Sequence, residues 1–325
     1  MIYLSKKFSF KKLFFILLFL VLVVPISRFG YIYFKLNSIY DNSANYSLFD
    51  NEDFKFQKGI NNILLVGTDG RITDDSGTRS DSMMILTIDN VNDQLKLTSL
   101  ARDSYVDIPG YGYEKLTHAY AYGGINLLSE TVEYNFQIDL QEYIVVDFFA
   151  FMDIIDVLGG VDIDVKEDEV RELNIYIPEG YELNKNPDKG PMQLINNSGL
   201  QKLNGYQTLA YARIRYLDSA FERDERQRDI IQALTNSLEK FPLSKYTDLV
   251  NTILPYMKTT LKPSEIVSIG SSVLRFNNLA IKQLEFPVND GINSDGGVVD
   301  GEGWVLKFNP DSLSILHEFI FEANN

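Results

Sequence analysis

A stretch without charge runs from Leu13 to Ile26 (LFFILLFLVLVVPI), directly behind Lys6, Lys7, Lys11 and Lys12. It constrains the chain more than any other feature, because it decides in which compartment the rest must fold. A bilayer span needs roughly 20 apolar residues. Continuing to Phe34 supplies the length, with Arg28 as the single charge, and Lys12 and Arg28 can lay their aliphatic stems in the apolar layer and keep their charges at the headgroups. Tyr31, Tyr33 and Phe34 suit the outer interface. The lysine bias sets the N-terminus in the cytoplasm and the body outside. No A-x-A-like site follows the run, which argues against a cleaved signal peptide. The expectation is a cytoplasmic tail over 1–12, a transmembrane anchor over 13–34 and a single-pass membrane protein.

The chain has 325 residues and a formal net charge of −15. Residues 1–28 hold five cations and no acids, so the remainder carries −20. Such a body repels phosphate backbones at long range and is a poor nucleic-acid binder. An arginine cluster that persists on it needs a local reason. Cysteine is absent, which excludes disulfides, thiolate metal sites and cysteine nucleophiles. An extracytoplasmic body without disulfides suits a bacterial envelope.

Residues 35–58 are rich in Asn, Ser and Asp and read as an extracytoplasmic linker. From Asn62 the pattern alternates between strand and helix. Ile63–Val66, Met83–Ile88, Leu95–Leu100, Tyr143–Val146 and Val161–Val165 read as strands, with a further strand near 281–286. Gly124 to Phe136, Phe149–Leu158, Leu203–Ala212 and Arg223–Lys240 read as helices, with more near 245–257, 263–274 and 311–322. Residues 176–198, which hold Pro, Gly and Asn, read as a long surface loop. The sum is an α/β domain over 59–325, a sheet covered by helices on both faces.

Four groups carry chemistry. They are Gly67-Thr68-Asp69-Gly70-Arg71, Thr78-Arg79-Ser80-Asp81-Ser82, Leu100-Ala101-Arg102-Asp103, and Tyr211-Ala212-Arg213-Ile214-Arg215 with Arg223 to Gln227 behind it. Asp69 follows a buried strand, Asp81 precedes the next, and Arg102-Asp103 closes the third. Adjacent strands would gather them at one sheet edge, where open α/β sheets bind ligands. Carboxylates so gathered repel unless a cation sits among them, and Mg²⁺ takes one or two carboxylates together with phosphate oxygens. Ordinary Asp–Arg salt bridges are the alternative. Arg213 and Arg215 share a face only on extended backbone, so the helix through Leu209–Tyr211 should end near Arg213. Arg223 and Gln227 share a helix face near its N-terminus, an end suited to phosphate. Arg226 and Arg228 are expected instead to pair with nearby acids (Asp218, Glu222, Asp224 or Glu225). Lys115 offers another phosphate contact.

His118 and His317 are the only histidines, and G-x-S-x-G, H-E-x-x-H and Walker lysine motifs are absent. His317 reads as a packing or capping residue and His118 as a local hydrogen-bonding one.

The ordered stretches ILLVGTD (63–69), TRSDSMMILTID (78–89), LTSLARDSYVDIPG (97–110), KLTHAYAYGG (115–124), IDVLGGVDIDV (155–165) and GLQKLNGYQTLAYARIR (199–215) with RDERQR (223–228) resemble the LytR–CpsA–Psr family of cell-wall glycopolymer ligases. The resemblance implies an αβα sandwich with a central mixed sheet and a hydrophobic groove for a polyprenyl chain. Phe148, Phe149, Phe151 and Met152 are candidates for its lining, or for an ordinary helix–sheet core. It implies an Mg²⁺-dependent phosphotransferase of a Gram-positive-type envelope, moving a teichoic-acid-like or capsular polymer from undecaprenyl pyrophosphate to peptidoglycan. Family arginines of the pyrophosphate site match Arg79, Arg102, Arg213, Arg215 and Arg223, with Gln227 beside them, and family Mg²⁺ ligands match Asp69 and Asp81. Asp81 and Asp103 are alternative general bases. The sequence departs from many members at Thr117, where they carry Asn, and at Glu222, where they carry Gly. A non-catalytic regulator of polyprenyl-pyrophosphate lipids and a pyrophosphate hydrolase are the competing readings.

Overall fold

Strand β1 (Ile60–Thr68) shows why the chain builds layers on both sides of one sheet. Alternate side chains of a strand point to opposite faces. Ile60, Leu64 and Val66 enter one hydrophobic cluster, and Ile63 and Leu65 another. A computed structural model describes residues 30–31, 33–41, 54–68, 80–214, 220–242, 245, 251–252, 254, 257–273, 275–276, 280–288 and 290–322. Around β1 stand β2 (Ser80–Asp89), β3 (Gln94–Leu100), β6 (Glu142–Asp147), β9 (Met257–Thr259) and β10 (Ile281–Phe286), after a short ladder of β4 (Tyr105–Ile108) with β5 (Gly112–Lys115). The six-stranded sheet has the order β10-β3-β2-β1-β6-β9. β1 pairs antiparallel with β2 and parallel with β6, and β3 pairs parallel with β10, so the sheet is mixed.

Helices α1 (Leu116–Phe136) and α7 (Leu313–Phe321) cover the first face through Leu116, Leu128, Val132, Leu316 and Ile320. Helix α6 (Pro263–Val273) packs on the second face through Ile266, Ile269 and Val273. Beside the sheet, α2 (Phe148–Leu158), α3 (Glu167–Leu183), α4 (Gly205–Ala212) and α5 (Ala220–Glu239) gather around the ladder of β7 (Val161–Val165) and β8 (Gly199–Leu203). The hairpin of β11 (Ser294–Val299) and β12 (Gly303–Phe308) lies against β4 through a bridge between Ser104 and Leu306.

Several sequence expectations need correction. The helix expected from Gly124 starts at Leu116 and is kinked, with non-helical angles at Gly123 and Gly124. The stretch 176–198 is not loop throughout, because α3 runs on to Leu183 across Pro178. Leu173 and Ile177 bury one face of that helix, and a Cβ at Gly180 would lie 2.7 Å from the Tyr206 carbonyl oxygen. Packing gain on that face outweighs the lost Pro N–H bond, and Gly180 permits the close approach. β2 begins at Ser80, so Asp81 lies within the strand and not before it. The segment read as a helix from Leu203 is strand to Leu203 and helix only from Gly205, with the Asn204 side chain accepting the Gln207 N–H between them. The helix expected near 245–257 lies largely outside the described residues, and Met257 belongs to β9.

Both described ends of the expected linker are docked. Leu36 and Ile39 pack on Leu254, Tyr40 bridges to Thr259, and Lys55 bridges to Ile138. Among the described residues no helix is long and apolar enough to cross a membrane, and the expected anchor falls almost wholly outside them.

One buried acid gives the first prediction. Glu133 of α1 is 2% exposed, and its Oε1 accepts only the Leu140 N–H among the bonds described, at 3.0 Å. Burial pushes its carboxyl from 4.5 up to about 7, with Asp139 and Glu130 adding repulsion. A raised acid pKa means that the folded state binds the proton more tightly than the unfolded chain. Stability from this group is therefore whole below pH 4.5 and falls as pH rises towards 7. Glu133→Gln keeps the acceptor and removes the charge. It should raise unfolding stability by up to about 3 kcal/mol at pH 8 and leave it nearly unchanged at pH 4. Denaturant unfolding at the two pH values measures this.

Candidate functional site

The register shows which strand ends meet. Thr68, the last residue of β1, stands opposite Ser80 at the start of β2 and beside Asp147 at the end of β6. Met84 pairs with Ser99, so the end of β3 leads towards the same edge, and Leu100 pairs with Phe286 of β10. The positions following Thr68, Ser80 and Leu100 are those of Asp69, Asp81 and Arg102-Asp103.

A cavity of about 210 Å³ opens from this edge along the second face of the sheet. Its floor is Leu65, Met84, Ile144 and Val146, which alternate with the residues packed on the first face. Phe148, Phe151 and Ile154 of α2 form one wall, and Ile230, Ile231 and Leu234 of α5 the other. Polar lining is confined to Ser82, Asp147, Arg213 and Gln227. Ser82 and Asp147 lie at the strand-end edge. The result is an apolar trough with polar groups near one end, a shape that suits an amphiphile with a charged head. Of the four expected lining residues, Phe148 and Phe151 line it. Met152 is buried in the neighbouring cluster and Phe149 packs against that cluster.

Arg213 is the C-cap of α4, so the helix ends where the arginine spacing requires. Its Nη1 lies 2.9 Å from Glu179 Oε1, and its guanidinium carbon is 5.7 Å from the centre of the Phe148 ring. The planar cation is thus held at the trough by one partly exposed acid and one aromatic face. Arg102 Nε lies 4.0 Å from Asp103 Oδ1, and Lys115 Nζ lies 3.4 Å from the same oxygen. Asp103 therefore ties two cations together. Gln227 lines the trough from α5, and Arg223 stands four positions earlier in the same helix. Asp69, Arg79 and Arg215 lie outside the described residues, and for Asp81 and Arg223 only the backbone position is described.

Thr117, one departure from the family pattern, has a defined job. Its hydroxyl donates to the Ser80 carbonyl at 2.8 Å and its N–H to the Arg102 carbonyl at 3.1 Å. The first turn of α1 is thereby fixed to the two strand ends beside Asp81 and Arg102. Among the described residues Arg226 and Arg228 pair with acids of remote elements, Glu169 and Glu285; the side chains of Asp218, Glu222 and Asp224 lie outside what is described. His317 Nε2 donates to the Phe136 carbonyl, 2.9 Å away at the end of α1, and burial lowers its pKa.

Two residues at the trough escape the sequence reading. Asp147 is 3% exposed and closes β6 as Asp69 follows β1. An acid immediately behind a buried apolar run was the available signal. Glu179 sits in α3 within the stretch read as loop, so no pattern marked it as the partner of Arg213.

The LytR_cpsA_psr family model matches residues 30–312. The polyisoprenyl-teichoic acid–peptidoglycan teichoic acid transferase TagT of Bacillus subtilis is 32% identical over 277 residues, covering 81% of each chain. Regulatory protein MsrR of Staphylococcus aureus is 30% identical over 257 residues, covering 78% of this chain and 72% of its own. A solved structure of TagT bound to LI-WTA superposes with a TM-score of 0.63 at 25% identity, over 84% of this chain and 94% of that one.

Proposed function

The chain belongs to the LytR–CpsA–Psr family, and from that premise we propose that it transfers a glycopolymer from a polyprenyl-pyrophosphate carrier to peptidoglycan. The observation that carries this reading is the apolar trough with Arg213, Gln227 and Asp147 in its lining. The trough suits the prenyl chain, and Arg213 and Gln227 suit the diphosphate. The name of TagT, a polyisoprenyl-teichoic acid–peptidoglycan transferase, agrees with it.

In this reading Arg79, Arg102, Lys115, Arg213, Arg215 and Arg223 spread the diphosphate charge, with Gln227 as a neutral donor. A peptidoglycan hydroxyl attacks the phosphorus that bears the polymer. The new O–P bond forms as the bridging P–O bond breaks, and its electron pair leaves on the polyprenyl monophosphate. Asp81 or Asp103 takes the hydroxyl proton, and Asp103 also positions Arg102 and Lys115 through the contacts described above. An all-oxygen set at the strand ends fits Mg²⁺, with Asp69 and Asp81 as the residues that would hold it. When bound, the ion would offset part of the diphosphate charge. Positioning and electrostatics supply most of the rate in such transfers. Residues 13–34 anchor the chain, 35–58 lead from the membrane, and 59–325 form the extracytoplasmic catalytic domain.

The test uses the full chain in detergent with a synthetic polyprenyl-pyrophosphate-linked polymer, with and without peptidoglycan fragments and Mg²⁺. The expected result is a covalent polymer–peptidoglycan product that needs both additions, with one polyprenyl phosphate released per bond formed. Release of phosphate without acceptor would make the protein a hydrolase. Tight binding without turnover would favour the regulatory role that the name MsrR carries.

A further inference from the structure

A group of metal-ligating side chains gathers next to Lys115 in the chain. Glu114 of β5, His118 in the first turn of α1 and Glu302 in the β11–β12 turn converge, with one ligand atom from each all within 4.8 Å of one another. His118 Nδ1 is 3.0 Å from Glu114 Oε2 and 3.7 Å from Glu302 Oε2. A metal with bonds of about 2.1 Å separates neighbouring ligand atoms by roughly 3.0–3.4 Å. The first distance already fits, and the second needs only a small side-chain adjustment.

Three observations favour an ion over a chance meeting of surface charges. Among the described residues Glu302 Oε2 is sealed from solvent without a hydrogen-bond partner, although the Glu302 side chain as a whole is 20% exposed. An imidazole Nδ1 carries one proton, and the Glu114 carboxylate at 3.0 Å is the nearer acceptor for it. A buried carboxylate oxygen left over in this way is costly and attracts a cation. Next, Tyr122 Oη donates to Glu114 Oε2 at 2.6 Å, the kind of outer contact that orients metal ligands. Finally, Gly301 and Gly303 flank Glu302 with φ of 89° and 73°. These left-handed angles suit glycine, and they build the tight turn that presents the carboxylate.

We propose that Glu114, His118 and Glu302 bind a borderline divalent metal ion of the Zn²⁺ class. One imidazole nitrogen with two carboxylates is a mixed donor set, which Zn²⁺ accepts and Mg²⁺ disfavours. The site is thus chemically distinct from the all-aspartate positions at the strand ends. Bound there, the ion clamps the β11–β12 turn onto the segment that carries Lys115. β12 already reaches that neighbourhood, since the Leu306 N–H donates to the Asp103 carbonyl at 2.9 Å.

Titration of the full chain in detergent with ZnCl₂, in millimolar Mg²⁺, is the test. Saturable binding of one ion is expected, with a rise in Tm. His118→Ala and Glu302→Gln should each weaken it by more than the roughly 10–100-fold that follows loss of an outer contact. Glu302→Gln keeps size and turn geometry, so it serves if His118→Ala fails to fold. X-ray absorption of the Zn²⁺-loaded wild-type protein should show one imidazole in an otherwise oxygen shell. Absence of saturable binding, unchanged affinity in Glu302→Gln, displacement by equimolar Mg²⁺, or a shell without imidazole would each overturn the proposal. None of these readouts depends on transfer activity, so the site stands or falls separately from the proposed function.

Discussion

Arg213→Ala should lower kcat/KM for polymer transfer by about 10²–10³-fold while leaving the fold intact. The two halves of this expectation have separate grounds. Arg213 caps α4 through its backbone N–H, which donates to Ala210 and Tyr211, so helix termination does not need the side chain. Its ion-pair partner Glu179 is largely exposed, and exposed pairs contribute little to stability. Arg213 lines the trough, as Asp147 and Gln227 do, and its guanidinium lies 5.7 Å from the Phe148 ring of the trough wall. A fixed cation aimed at a diphosphate acts more strongly as charge moves to the leaving phosphate. Arg213→Lys keeps the charge and loses the planar fork, so its loss should lie between. Steady-state transfer kinetics with a thermal-unfolding control measure both halves. Near-normal transfer by Arg213→Ala would remove the arginine from the site, and a collapse in Tm would make its role structural.

Much of this architecture was legible in advance, and the reasons are local. The β7 sequence Val-Asp-Ile-Asp-Val alternates strictly, and its observed burial alternates with it over the expected residues. The strand near 281–286 has its expected bounds too. The helix end at Arg213 followed from two arginines that cannot share a helical face. Other elements were hidden because their cause is not local. β8 is five residues long and owes its extended form to pairing with β7. Pro178 and Gly180 read as loop residues, yet they lie in a helix whose buried face is set by α4. The described acid partners of Arg226 and Arg228 are each 57 positions away in the chain, beyond the reach of any helix-spacing rule. The strand-end edge was inferred from adjacency alone, and the register of β1 with β2 and β6 gives it a physical form.

Glu169→Ala should cost about 3–5 kcal/mol of stability, because it breaks a buried ion pair by removing one partner. Arg226 and Glu169 are each 2% exposed, and Arg226 Nη1 lies 3.1 Å from Glu169 Oε1. Glu169 has a second task, since its Oε2 accepts the Lys166 N–H at 2.9 Å and so caps α3. Losing the cap adds about 1 kcal/mol. Glu169→Gln keeps one acceptor oxygen, enough for the Lys166 N–H or for Arg226 but not for both, so it should cost less than Glu169→Ala but not be neutral. The pair Glu169→Gln with Arg226→Met removes both buried charges and should recover most of the Glu169→Ala loss. Urea unfolding of the three variants orders these effects, and a cost below about 1 kcal/mol for Glu169→Ala would refute the account. The consequence reaches the trough. Arg226 Nη2 also donates to the Ile214 carbonyl at 3.1 Å, directly behind Arg213, and Gln227 is its neighbour on α5. The buried pair therefore fixes α3, α5 and the end of α4 relative to one another. Loosening it in a variant that still folds should raise KM for the lipid-linked substrate, as the Arg213 guanidinium loses its fixed aim.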